Sequence, residues 1–170
     1  HAMARNRPPR KAYRPGPAYA NSYQIAMAKV VTLQRQRLDN QVSIVAQALD
    51  DFARGVDCAE RWKHLADTAN VAEQLTAIGI GSGPQAIRVI HAAQHALANV
   101  AQRWREHGSW TLYAAELDAL QWLKSLHREQ LSRCSHGEFE RAMDAAHNKV
   151  SQARAGNAPA GAVIVEGDLK

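Results

Sequence analysis

The stretch LDNQVSIVAQALDDFARGVDCAERWKHLADTA, Leu38 to Ala69, decides the fold. Leu38, Val42, Val45, Leu49 and Phe52 step by 4, 3, 4 and 3, a spacing that lines one face of a helix running from about Leu33 to Arg54. Gly55 stops that helix. Asp57, followed three residues later by Glu60, has the pattern of a capping box, in which each side chain satisfies a backbone amide left open at a helix start. The helix that follows repeats the same step with Cys58, Trp62, Leu65, Ala69 and Ala72 and is expected to end near Ile78.

The same grammar continues along the chain. A third stripe, Ala86, Ile90, Ala93, Leu97, Val100 and Trp104, closes at Gly108 after Arg103, Arg105 and His107, cations suited to the negative end of a helix. A fourth helix begins near Thr111 and buries Leu117, Leu120 and Leu123. Ser135 with Glu138 repeats the capping pattern ahead of a fifth stripe, Phe139, Met143, Ala146, Val150 and Ala153, which runs to about Ala155. Residues 22–31, SYQIAMAKVV, add a helical turn or a short helix that fuses with the first. Each stripe lasts two or three heptads before a glycine ends it, which favours a compact bundle over a long coiled coil. The expected fold is all-α: about five antiparallel helices over residues 22–156, preceded by an extended basic arm at 4–21. A short tail at 157–170 follows, in which Val163-Ile164-Val165 is a flexible end or a strand for a partner's or a second copy's edge. His1-Ala2-Met3 reads as a cloning remnant.

No apolar run reaches the roughly 18 to 20 residues of a membrane span, and the start has no signal-peptide core, so a cytoplasmic protein with no membrane partner is expected. Cys58 and Cys134 stand far apart and outside any C-x-x-C pair, which suits free thiols in a reducing compartment.

The net charge of +5 conceals a partition. Through Leu38 there are eight cations, Arg5, Arg7, Arg10, Lys11, Arg14, Lys29, Arg35 and Arg37, and no acid; beyond it, 13 cations face all 16 acids, a balance of −3. Arginine alternating with proline in ARNRPPRKAYRPGPAY, Ala4 to Tyr19, resists helix formation and displays its guanidinium groups on an extended backbone. Arg5, Arg7, Arg10, Lys11 and Arg14 are the candidate contacts to a phosphate backbone, with Tyr13 and Tyr19 available to stack on bases. The expected partners are therefore nucleic acid or an acidic protein surface, with a homo-oligomer a further possibility.

The start RPPRKAYRPGP resembles the R-K-x-Y-R-P-x-P openings of a family of small uncharacterised proteins from proteobacterial genomes and their prophages. Arg10, Lys11, Tyr13, Arg14, Pro15 and Pro17 carry the resemblance, with Trp62-x-x-Leu65 and Asn70-Val71 matching more loosely. It covers the arm well and the body poorly. The resemblance implies a mobile-element context and brings no activity and no functional residue with it.

Other candidates have structural explanations. His91 and His95, four apart on the third helix, have the spacing of two metal ligands but lie beside the core stripe. His127, Cys134 and His136 form a loose cluster near the junction of helices four and five, and Cys58 or His64 would have to be recruited by packing to complete a zinc site. GIGSGP, Gly79 to Pro84, lacks the preceding strand and the Lys-Ser or Lys-Thr pair of a phosphate loop, and reads as a flexible inter-helix turn. Asp50 and Asp51, at a helix end, read as solvated. Trp62 and Trp104 fall on core stripes, whereas Trp110 and Trp122 are the candidate interface anchors. No hydrolase, cofactor or metal motif is present, so a non-enzymatic protein without a cofactor is expected.

Overall fold

The computed structural model describes residues 17–156. Five α-helices are found among them: α1 (Pro17–Ala53), α2 (Cys58–Ala77), α3 (Pro84–His107), α4 (Ala114–Arg133) and α5 (His136–Arg154). The chain divides into two units at Leu33. In the first, the helix is under way by Pro17, so residues 17–21, expected in the extended arm, are helical instead. Proline is well suited to the first helical position, because its fixed φ is already helical and its missing N–H has no partner to lose. The expected turn at 22–31 is thus part of α1, where Ile25, Met27, Val30 and Val31 are exposed.

The second unit is an all-helical bundle whose centre is α2. This helix packs against α3, α4 and α5 and buries Trp62, Leu65, Ala66, Thr68, Ala69, Asn70, Val71, Ala72 and Leu75. Two apolar clusters meet along it. One joins Leu49 and Phe52 of α1 to Trp62 and Leu65, Ile90, Leu97 and Val100 of α3, and Leu120 and Leu123 of α4. The other joins Leu38, Val71, Leu75 and Leu131 to Phe139, Ala142 and Ala146 of α5. Every residue of the expected α1 stripe except half-buried Val42 is buried, as are Phe139, Ala146, Val150 and Ala153 of α5. Fully burying a leucine or phenylalanine contributes about 2 kcal/mol, so these stripes supply the bundle's main driving force.

Polar groups fix the register. Trp62 Nε1 donates to the Leu97 carbonyl at 2.9 Å, tying α2 to α3. Gln130 of α4 is fully buried, and its Nε2 lies 3.0 Å from the Ala72 carbonyl, 2.9 Å from Thr76 Oγ1 and 3.1 Å from the Ile80 carbonyl. Ala72 and Thr76 belong to the last turns of α2 and Ile80 to the turn beyond it, so one side-chain amide ties the helix end to the connector. The GIGSGP turn is therefore clamped by α4 and is not a free connector. At Gly81 the backbone has φ +62, and a Cβ there would come 2.7 Å from Gln130 Cγ, so only glycine fits.

Two helix starts depart from expectation. Asp57 sits in the left-handed region, at φ 47 and ψ 43, and caps nothing; its carboxylate instead approaches Arg61 at 3.9 Å, while Glu60 pairs with Lys63 at 2.9 Å. The left-handed backbone takes its side chain away from the amides a cap must reach. At α4, Glu116 reaches back to accept from the Tyr113 amide at 2.9 Å and pairs with Arg103 of α3 at 2.7 Å, which also bonds the Thr111 carbonyl. Arg103 thus serves the α3–α4 junction rather than the α3 dipole. The Ser135–Glu138 box forms as expected, with Ser135 Oγ accepting from the Glu138 amide at 3.2 Å and Glu138 accepting from the Ser135 amide at 2.7 Å.

Asp51 is buried, whereas Asp50 is exposed, correcting the expectation that both are solvated. Asp51 accepts from Gln47 at 2.8 Å and Arg54 at 2.6 Å, and the guanidinium of Arg61 from α2 lies 3.1 Å away as an ion pair, so two donors and a facing positive charge replace its water.

Replacing Gln130 by Leu removes the amide that joins α4 to the end of α2 and takes the Ile80 carbonyl's side-chain donor away, and is expected to lower stability by about 2 kcal/mol in urea denaturation. A loss under about 0.5 kcal/mol would contradict the clamp.

Candidate functional site

Arg5, Arg7, Arg10, Lys11, Tyr13 and Arg14 lie outside the described residues, as does Val163-Ile164-Val165. Of the basic segment's eight cations, the structure shows two at work inside the bundle. Arg35 pairs with Asp39 at 2.9 Å and donates to the Leu131 carbonyl at the end of α4 at 3.1 Å. Arg37 Nη1 lies 3.3 Å from His136 Nε2, which itself faces Glu140 at 3.0 Å. Cations beyond Leu38 are also drawn into pairs, Arg133 with Glu129 at 2.6 Å and Lys149 with Glu73 at 2.8 Å, besides those already described.

The two tryptophans singled out as interface anchors differ. Trp110 is half-buried, stacked on Trp104 at 4.9 Å between centroids and edge-on to Phe52 at 6.1 Å, so its surface is largely used within the bundle. Trp122 on α4 is 66% exposed. His91 and His95 are exposed on α3. His127, Cys134 and His136 do not converge: among the described residues no three His, Cys, Asp or Glu side chains are placed to share a metal ion. Both thiols are free, and burial raises the pKa of Cys58 and of Cys134, which leaves them poor nucleophiles near neutral pH.

What periodicity did not reveal is a cleft of about 250 Å³ at the meeting of α1, α2, α4 and α5. Its lining mixes apolar Ile44, Val45, Val71, Phe139 and Met143 with polar Gln41, His64, Asp67, Thr68, His127 and His147. The stripes that build the core deliver these residues: Val45 and Val71 lie on faces of α1 and α2 turned inward, and Phe139 opens α5 just after its capping box. Thr68 Oγ1 is committed to the His64 carbonyl at 2.7 Å. His127 is 3% exposed, and its Nδ1 is buried without a hydrogen-bond partner. Burial drives its pKa down to about 4, the neighbouring Gln130 side chain opposing this only in part. Burial pushes the Asp67 carboxyl above the ordinary aspartate range, while His147, His64 and Arg154 pull it down more weakly.

The cleft could have been suspected from sequence only through His64, Asp67, His127 and His147, which lie on three different helices and come together by packing alone. Comparison of the chain with protein-family models, curated proteins and solved structures finds no match.

Because His127 is neutral in the fold down to about pH 4 while an exposed histidine titrates near 6.5, the unfolded chain binds more protons in between. The histidine's contribution is complete above about pH 6.5 and is lost as pH falls through 4, a difference of about 3 kcal/mol. Nuclear magnetic resonance titration of the ring, with denaturation at pH 7 and pH 4 for the wild type and His127→Asn, checks this. A ring that titrates near 6.5 would contradict it.

Proposed function

We propose that this protein binds nucleic acid through its basic N-terminal segment, as a non-enzymatic accessory protein of the phage type, with the helical bundle as the folded carrier. The observation that carries this reading is the charge partition, eight cations and no acid through Leu38 against a body with three more acids than bases. The structure sharpens its arithmetic. Arg35 and Arg37 are occupied by Asp39, the end of α4 and His136, so the cations offered to a partner are Arg5, Arg7, Arg10, Lys11, Arg14 and Lys29. The body is net acidic, and six of its 13 cations, Arg54, Arg61, Lys63, Arg103, Arg133 and Lys149, are in ion pairs with its own acids. The resemblance of RKAYRP to openings of prophage-borne proteins agrees with a mobile-element setting.

Binding of this kind reads charge more than sequence. Arginines spaced along this proline-rich segment would track successive phosphates, each contact releasing counterions, and Tyr13 would add a stacking surface for an unpaired base.

A second reading, a protein-binding adaptor or inhibitor acting through a helix face, has one observation in its favour. Met27, Val30 and Val31, spaced for a single face of α1, are each about half exposed. Lys29 in the same stretch would suit an acidic partner.

Fluorescence anisotropy with a random duplex, repeated across salt, separates the two readings. The arm's five cations predict a slope of log K against log salt of about −4 to −5, and deletion of residues 4–19 should abolish both the slope and the affinity. Unchanged binding after that deletion would overturn the nucleic-acid reading, and absence of binding at low salt would favour the adaptor.

A further inference from the structure

One histidine joins the start of α5 to α1. His136 opens α5 with its side chain 14% exposed, and its Nε2 faces two groups of opposite charge. Arg37 Nη1 of α1 lies 3.3 Å away, and Glu140 Oε1, one turn along α5, lies 3.0 Å away. Nδ1 is buried without a hydrogen-bond partner, so the ring meets both charges through the same nitrogen.

That nitrogen cannot serve both neighbours at once. Arg37 can only donate, so it needs a lone pair on Nε2, which the neutral ring offers when its proton is on Nδ1. The Glu140 carboxylate can only accept, so it needs a proton on Nε2, which the charged ring always carries. Protonation therefore takes the acceptor away from Arg37, sets a second positive charge beside it, and gives Glu140 a charge-assisted bond. The other charges around the ring are engaged elsewhere. On α1, Arg35 is held by Asp39 and the Leu131 carbonyl; at the end of α4, Arg133 pairs with Glu129; at the start of α5, Glu138 accepts from the Ser135 amide. Cys134 stands between them as a thiol whose pKa burial raises, and so adds no charge near neutral pH.

We propose that His136 is a proton-operated latch on Arg37. The neutral ring holds the guanidinium against the bundle; the charged ring turns its hydrogen bond to Glu140 and releases Arg37 to the acid-free stretch that ends at Leu38, where it adds one contact to nucleic acid. The exchange stands on the geometry at His136, whereas its consequence for binding rests on the nucleic-acid reading. Histidine is the side chain whose ordinary titration falls between about pH 5 and pH 8, so the latch opens on mild acidification. One more phosphate contact steepens the slope of log K against log salt by about 0.9 on duplex DNA.

Two measurements keep the exchange and its consequence apart. In the free full chain, the His136 ring nitrogens and the Arg37 guanidinium are followed by nuclear magnetic resonance from about pH 8 to about pH 5. The neutral ring should carry its proton on Nδ1, and the guanidinium resonance should move with the same midpoint as the ring. In His136→Gln, which has no proton to gain there, the guanidinium should stay still. Arg37→Gln should raise the ring's midpoint and Glu140→Gln should lower it, each by roughly 0.3 pH or more. A guanidinium that ignores the ring's titration, or a neutral ring with its proton on Nε2, overturns the latch whatever the protein binds. Anisotropy with the random duplex then reads the consequence. On passing from about pH 8 to about pH 5 the salt slope should steepen by about 0.9 more in the wild type than in Arg37→Gln; the other histidines gain protons in both, so the difference belongs to Arg37. An equal change in both proteins would overturn the regulatory role. Absence of duplex binding at both pH values would overturn the nucleic-acid reading and this consequence with it, while the resonances still decide the exchange.

Discussion

Gln130 Nε2 reaches the Ala72 carbonyl, Thr76 Oγ1 and the Ile80 carbonyl from the opposite helix, and much of the bundle is arranged around that contact. A buried side-chain amide must find acceptors within the protein, and this one finds them on the last turns of α2 and on the turn beyond, which sets α4 against α2 in one register. That register in turn places Leu131 and Cys134 against Leu38 and Phe139. It also brings Gly81 so close to Gln130 that position 81 has no room for a side chain. Slipping α4 by one turn would strand these groups without water, which makes the alternative costly in the way apolar packing alone does not.

With α2 fixed, the remaining polar ties close the two ends of the bundle. Asp51 collects Gln47, Arg54 and Arg61 where α1 turns into α2, and Glu116 collects Arg103 and the Tyr113 amide where α3 turns into α4. Both acids are nearly inaccessible, and each is surrounded by donors that replace lost water. The cations used in these ties face the body's own acids, while the surplus of positive charge lies in the N-terminal segment. The same packing places His127 and Asp67 in the lining of the cleft between α1, α2, α4 and α5.

The parts of this fold that are legible in the sequence are those fixed by neighbours a few residues apart. The α1 stripe from Leu38 to Phe52, the Ser135–Glu138 box and the left-handed Gly108 that ends α3 all follow from local spacing and local backbone preference. Asp57 and Glu60 had the same local pattern as Ser135 and Glu138, yet Asp57 entered the left-handed region and its carboxylate faces Arg61. Burial of Asp51 depended on Arg61 arriving from another helix, and Trp110 was drawn inward by Trp104 and Phe52. The cleft was the least legible feature, since His64 and Asp67, His127 and His147 come from three helices and share no spacing in the chain. Charge partition is the converse case: it is plain in composition and owes nothing to the packing.

The account's central claim is that binding to nucleic acid and folding of the bundle belong to different parts of the chain. It is tested most directly by amide chemical-shift mapping of the full chain during titration with a short random duplex at low salt. Perturbations should be confined to residues before about Leu38, with the amides of α2 to α5 unmoved. Shifts spread across the faces of α2 to α5, with the residues before Leu38 unchanged, would contradict it.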